Sequence, residues 1–317
     1  MNIKRFLSAF MAGSFFAVIF SCNMLFANAE IKAPSNEVIF SNYVGDENFQ
    51  KYLESLPQKT GNYKSSQRPV MIEGAMNIEI DNFVRSLKNP VIYRILNYVY
   101  VAGTYKNYPV IIARTEQGIA NAATVTALGI ENFNPVAVIN QGTAGGYMPD
   151  LHLGDIVICE KAVNTAAYKT EYSPQGAGLN LTAQEMRGTF AYDKQTKTFQ
   201  PHKEYFADEK LLSIAKNIAD SNKKFNVTVG TIGSADAWHS GIDHINFLHE
   251  KYGIICEEME TVAAAQICKT VDVPFIGIRT ISNNITNGDE YSERTAVSSQ
   301  NFVLLVVDKY ISSVLKK

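Results

Sequence analysis

The feature that most constrains this chain is a repeated grammar: a short apolar run, a corner of glycine with small or polar residues, then a stretch with helical spacing. Val70-Met71-Ile72 leads into Gly74-Ala75 and a helix-like stretch over 78–87. Ala137-Val138-Ile139-Asn140 leads into Gly142-Thr143-Ala144-Gly145-Gly146, and the run 227–232 ends at Gly233-Ser234-Ala235-Asp236. The run 275–281, behind Pro274, continues into Ser282-Asn283-Asn284. Spacing also predicts a strand over 155–159, a hairpin over 97–102 and 110–113, and helices over 118–128, 210–219, 242–252, 258–268 and 295–314. Strands alternating with helices in this way predict one α/β domain with a largely buried sheet. The polar stretch 168–203, with Pro174, Gly176, Gly178 and Pro201, lacks periodicity and is expected to be an irregular excursion or lid.

The beginning of the chain follows other rules. Lys4 and Arg5 precede an apolar run over 6–20, which continues through Met24, Leu25 and Phe26 to Ala27-Asn28-Ala29. That is the anatomy of a signal peptide cleaved after Ala29, and it implies a periplasmic or secreted protein. An uncleaved anchor is the alternative, since about twenty apolar residues span a bilayer. Acylation of Cys22 as a lipoprotein is a further one, which the bulky Phe20 suits poorly. The organisation expected is therefore a signal peptide over 1–29, an extension over 30–68 with one short helix near 48–56, and a catalytic domain over 69–317.

Removing 29 of the 317 residues leaves 288, enough for one large core. The leader takes two basic and no acidic residues with it, so 29 Lys and Arg against 31 Asp and Glu become 27 against 31. A mildly acidic chain without a basic block gives nucleic acid little to hold. With no second apolar segment of spanning length, no stable membrane partner is expected after cleavage. Cys159, Cys256 and Cys268 lie in no CxxC pair and at no ligand spacing from histidine, so no metal is expected. They read as buried thiols, with room for at most one disulfide. His239 and His244 read as surface or pocket-edge residues.

In α/β sheets ligands gather beyond the carboxyl ends of strands, which makes the corners the candidate site. Four stand out: Gly74-Ala75-Met76 with Glu79, Gly142 to Gly146, Asp236-Ala237-Trp238, and Ser282-Asn283-Asn284. The run Cys256-Glu257-Glu258-Met259-Glu260 adds three carboxylates before an alanine-rich stretch. Acids in a first helical turn offset the macrodipole, which accounts for one or two of them without any function.

Taken together, the corners resemble the nucleoside phosphorylase superfamily, and within it the methylthioadenosine/S-adenosylhomocysteine nucleosidases. The resemblance covers roughly residues 70–316. It rests on Gly74-Ala75-Met76 with Glu79, Asn140 to Gly146, Gly154-Asp155-Ile156-Val157, Glu258-Met259-Glu260 and Arg279-Thr280-Ile281-Ser282-Asn283. It implies a three-layer α/β sandwich around a mixed sheet, usually a homodimer, that hydrolyses purine nucleosides without a cofactor. It also implies roles. Glu79 would activate the attacking water, Glu260 would hold the ribose hydroxyls, and Met259 would pack beneath the sugar. Thr143 and Arg279 would lie near the reaction centre, Trp238 would stack on the base, and the His239 backbone would read its edge. Ala75, Met76, Gly145, Glu258 and Ser282 would complete the pocket.

One departure stands out. Where these nucleosidases carry an aspartate that protonates the leaving purine at N7, this chain has Asn283. An amide donates a hydrogen bond but transfers no proton. That leaves adenine and 6-oxopurine substrates both open, and with them two alternatives to hydrolysis: phosphorolysis of 6-oxopurine nucleosides, and nucleoside storage without turnover. Phosphorolysis needs a phosphate cradle that Gly74-Ala75-Met76-Asn77, lacking arginine, does not offer.

Overall fold

The computed structural model describes residues 47–193 and 196–315, so the expectations for the leader and Cys22 lie outside the described residues. All of these residues belong to the unit Pro34–Lys317. The chain opens with α1 (Glu47–Ser55), β1 (Gln58–Lys59), β2 (Val70–Gly74) and α2 (Asn77–Ser86). A meander comes next, β3 (Lys88–Ile95), β4 (Tyr98–Tyr105) and β5 (Tyr108–Arg114), then α3 (Ile119–Phe133), β6 (Ala137–Gly146) and β7 (Ile156–Asn164). Four short strands succeed it: β8 (Tyr168–Thr170), β9 (Gln184–Met186), β10 (Thr189–Asp193) and β11 (Thr198–His202). They are followed by β12 (Glu204–Phe206), α4 (Glu209–Ser221), β13 (Val227–Ser234) and α5 (Ile242–Tyr252). The last elements are β14 (Ile254–Glu258), α6 (Thr261–Thr270), β15 (Phe275–Asn283) and α7 (Ala296–Tyr310).

Eleven of the described strands form one mixed sheet, in the order β1-β3-β4-β5-β2-β6-β14-β13-β7-β12, with β15 bridging β6 and β7. The bridge closes a circuit, because β6 pairs with β15, β15 with β7, β7 with β13, β13 with β14, and β14 with β6 again. The period-2 alternation of side chains assigns each strand residue to one of two cores. Val70 and Ile72 pack with Ile80 and Phe83 of α2 and with Phe302 and Val303 of α7. Met71 points the other way, into a core with Val125 of α3 and Val262 of α6. Helices thus cover both faces of the sheet, which is the three-layer arrangement expected.

Helix starts follow local chemistry. The Asp208 carboxylate accepts the Leu211 N–H at 2.9 Å and caps α4, while Asn134, at φ 47°, ends α3 in the left-handed conformation. The described part of the N-terminal extension is no loose arm: Phe49 and Leu53 of α1 are buried beside α2, and β1 pairs in parallel with β3.

Several expectations need correction. The glycine-rich stretch Gly142 to Gly146 is strand rather than turn. It is glycine because side chains press on it: a Cβ on Gly142 would stand 2.8 Å from Glu79 Oε1. Glu258 belongs to β14, not to a helix, since Glu257 and Glu258 pair with Gly233 and Ser234 of β13. The stretch 168–203 is not irregular but holds two small antiparallel ribbons, β8-β9 and β10-β11, with Phe190, Tyr192 and Phe199 exposed. Strand β3 escaped notice because Lys88, Asn89 and Arg94 interrupt its apolar pattern. Cys159, Cys256 and Cys268 are all free and buried. His244 is buried, not at the surface.

Candidate active site

The carboxyl ends of β2, β6, β14 and β15 meet at an open cleft of about 660 Å³. Its walls include twelve residues singled out from the sequence: Ala75, Met76, Glu79, Thr143, Gly145, Trp238, His239, Glu258, Met259, Glu260, Ser282 and Asn283. Arg279 does not line it. That residue lies behind the wall, 1% exposed, and so does not face the reaction centre directly.

Glu79 stands in the first turn of α2 and is 3% exposed, which excludes a solvated first-turn acid. Its Oε2 accepts the Ala75 and Met76 N–H groups at 2.8 and 3.1 Å, and its Oε1 accepts Thr143 N–H at 2.9 Å and the Thr143 hydroxyl at 3.2 Å. Burial raises its pKa, opposed by Arg279 and by these N–H donors. The close approach of α2 to β6 that this requires is possible because position 142 carries no Cβ.

Glu260 follows β14 and precedes the first turn of α6. Its Oε1 accepts Gly118 N–H at 2.9 Å, and burial together with the Glu258 charge raises its pKa to about 8. Glu258 has a structural role. Its Oε2 accepts the Glu260 and Thr261 N–H groups at 3.0 and 2.9 Å, capping α6, and takes Arg279 Nε at 3.0 Å and Nη2. Ser234 donates to its Oε1. Arg279 Nη1 also donates to the Asn140 carbonyl at 3.1 Å and Nη2 to Asn140 Oδ1, while Glu260 Oε2 lies 3.9 Å from Nη2. Burial alone would lower the arginine pKa; Glu258, Glu260 and Glu79 outweigh that and raise it. One guanidinium thereby holds Glu258 directly and adds positive charge behind Glu260 and Glu79.

At the other end of the cleft, Gly145 is in register with Asn283 of β15 on one side and with Glu257 of β14 on the other. The Ser282 hydroxyl lies 3.1 Å from Asn283 Oδ1 as its donor. Glu257 Oε1 accepts the Thr165 hydroxyl at 2.6 Å, and its Oε2 accepts Tyr147 OH and His239 Nδ1, both at 2.6 Å. Trp238, 47% exposed, meets the Tyr291 ring edge-on at 5.6 Å and flanks the mouth. Sequence reasoning left Gln117 and Tyr147 out of the site and gave Glu257 no role in it, although all three line it. Gln117 and Tyr147 follow the ends of β5 and β6, so the strand-end rule applied to every strand would have found them. Among the described residues, no three His, Cys, Asp or Glu side chains gather as a metal site.

Residues 69–312 match the family model for the phosphorylase superfamily. The 5'-methylthioadenosine/S-adenosylhomocysteine nucleosidase of Shewanella pealeana is 30% identical over 244 residues, covering 75% of this chain and 98% of the relative. That of Bacillus pumilus is 29% identical over 248 residues, covering 75% and 97%. Among solved structures, the Neisseria meningitidis nucleosidase in complex with methylthio-immucillin-A superposes with a TM-score of 0.62 at 24% identity, covering 77% of this chain and 100% of the other. The futalosine hydrolase of Helicobacter pylori fits as closely, with a TM-score of 0.61 at 21% identity and coverage of 76% and 98%. At those identities the likeness is one of fold.

Proposed function

The chain belongs to the phosphorylase superfamily and, within it, to the 5'-methylthioadenosine/S-adenosylhomocysteine nucleosidases, and from that premise we propose that its cleft hydrolyses the N-glycosidic bond of a purine nucleoside, with Glu79 activating the water. The observation that carries this reading is the sign of the cleft. Its described walls present Glu79, Glu257, Glu258 and Glu260 and no lysine or arginine. A developing cation is welcome there, and an inorganic phosphate finds no lysine or arginine in the walls to hold it.

The chemistry arises from these groups. Breaking the bond to N9 builds positive charge on the ribose, which the Glu79 and Glu260 carboxylates stabilise while Glu79 takes a proton from the attacking water. Both oxygens of Glu79 are pinned by N–H donors, so its position is set before the substrate arrives. Glu260 keeps Oε2 for the ribose hydroxyls. Two hydroxyl donors restore the solvation that burial removed, so nucleoside binding favours its ionised form. Met259 lines the cleft beside it, and Trp238 offers an aromatic face to the base. Arg279 acts through Glu258 and Glu260 as a positioning residue.

The test is release of free base by the mature protein from methylthioadenosine, adenosylhomocysteine, adenosine, inosine and guanosine, with and without phosphate. Turnover without phosphate supports hydrolysis. Turnover that requires phosphate would establish a phosphorylase, and binding without turnover a storage protein. We also propose an exported protein, from the basic and apolar leader ending at Ala29, and a homodimer, from family resemblance. The mass of the mature N-terminus, at Glu30 or at an acylated Cys22, and the molecular mass in solution test these two.

A further inference from the structure

We propose that His239, held by Glu257, is the acid that neutralises the departing purine in this chain. The proposal rests on the hydrolase reading above and names a further catalytic residue of the same cleft. When the bond from C1' to N9 breaks, its electron pair goes to the base, which leaves as an anion unless a proton reaches it. Asn283, on the strand beside Gly145, donates a hydrogen bond but has no proton to give. Glu79 accepts a proton in the same step, and Glu260 serves the sugar.

The remaining candidates lie across Gly145. Neighbouring strands stand about 4.8 Å apart, so Asn283 and Glu257, each in register with Gly145, lie on the strands either side of β6 with their backbones roughly 10 Å apart. Glu257 is buried and fixed by Thr165, Tyr147 and His239 together. His239 Nδ1 lies 2.6 Å from its Oε2, which makes Nδ1 the donor and commits the ring's orientation. His239 lines the cleft beside Trp238, and its Nε2 has no protein partner among the described residues. The arrangement is a buried carboxylate, an imidazole locked through one nitrogen, and the second nitrogen free, at the end of the cleft where the base belongs.

Two other groups face the imidazole. Tyr147 OH is 3.4 Å from Nδ1 and already donates to Glu257, and burial followed by the Glu257 charge raises its pKa, so it keeps its proton. The His244 ring meets His239 edge-on at 4.4 Å, with Nε2 2.8 Å from Gln184 Nε2. Burial lowers the His244 pKa, so His244 is neutral and adds no repulsion. The Glu257 hydrogen bond, against burial, raises the His239 pKa and so favours the protonated imidazole that the step needs.

The step balances. Water attacks C1' as the bond to N9 breaks, the bonding pair moves onto the base, and Nε2–H gives its proton to a ring nitrogen of the base. Glu79 takes the proton that the water loses. Solvent then removes that proton from Glu79 and reprotonates His239, so one water is consumed per turnover.

A methyl group on N7 makes the base cationic before it leaves, so a methylated nucleoside needs no acid. Base release without phosphate is measured for wild type, His239→Gln and Glu257→Gln, with inosine, 7-methylinosine and methylthioadenosine across pH. The expected result is a loss in kcat of about a hundredfold or more for His239→Gln on the unmethylated substrates, and of less than about threefold on 7-methylinosine. Glu257→Gln should move the alkaline limb of kcat to lower pH, because the imidazole loses its carboxylate. Equal losses on methylated and unmethylated substrates would make His239 a structural residue and overturn the proposal, as would an alkaline limb that Glu257→Gln leaves in place. If N7-methylation blocks turnover by the wild type, that limb alone decides. A wild type that releases no base from any nucleoside ends the hydrolase reading itself, an outcome distinct from either variant result.

Discussion

Replacing Glu79 by Gln keeps the shape of the side chain and removes both its charge and its capacity to take a proton from water. The structure sets the cost. One carboxylate oxygen faces two backbone N–H groups, Ala75 and Met76; the other faces one N–H and a hydroxyl, both of Thr143. Only the hydroxyl can turn to accept, so the new NH2 goes to the Thr143 side and opposes a single N–H. One unsatisfied buried donor costs about 1–3 kcal/mol. Removing a carboxylate that burial already disfavours offsets part of it, so the variant should stay folded against a typical total of about 5–15 kcal/mol. Catalysis loses far more: a missing general base costs about a hundred- to ten-thousandfold, or about 3–5 kcal/mol of barrier. Initial rates of base release without phosphate, beside thermal unfolding of the same samples, measure both. A folded Glu79→Gln within tenfold of wild type would refute the assignment of Glu79 as base.

Gly142→Ala forces a Cβ to within 2.8 Å of Glu79 Oε1, so the carboxylate must shift; kcat should fall about tenfold or more while KM moves less, in steady-state assays. Trp238→Ala should raise KM by the loss of one base-stacking contact, about 1–3 kcal/mol, with a smaller change in kcat. An unchanged KM would remove Trp238 from the base site. Glu73, fully buried, has its pKa raised to about 7 by burial, against hydrogen bonds that include the one Asn140 Nδ2 donates at 3.0 Å. Because the folded pKa lies above the unfolded one, the folded state binds the extra proton, and stability should fall as pH rises from about 4.5 to about 7 and then level off. Melting temperatures across that window should show a slope in wild type that Glu73→Gln reduces.

How much of the fold and the site was legible in the sequence depended on whether a signal was local. The corners at Ala75, Thr143 and Ser282 were legible because strand, glycine and polar residue are neighbours in the chain. Arg279 was not, because nothing within the apolar run of β15 says which way a guanidinium points; its partners are Glu258, 21 residues away, and Asn140, 139 residues away. The three-carboxylate run looked like a helix start, since acids suit one. Only strand partners on both sides of β14 turn Glu257 and Glu258 into sheet residues, and that pairing is tertiary. The ribbons β8-β9 and β10-β11 stayed hidden because they bury few side chains and so leave no clean alternation to find.

The row across Gly145 bears on how such a catalyst changes trade. Thr143 and Gly145 stand two residues apart on β6, the first serving Glu79 and the second lying between Asn283 and Glu257. Mutations at the base end therefore fall on side chains that share no hydrogen bond with the water-activating end. A lineage can exchange one leaving base for another at Asn283, Glu257 and His239 while the hydrolytic half is inherited intact, which makes this cleft a two-part instrument open to piecemeal evolution.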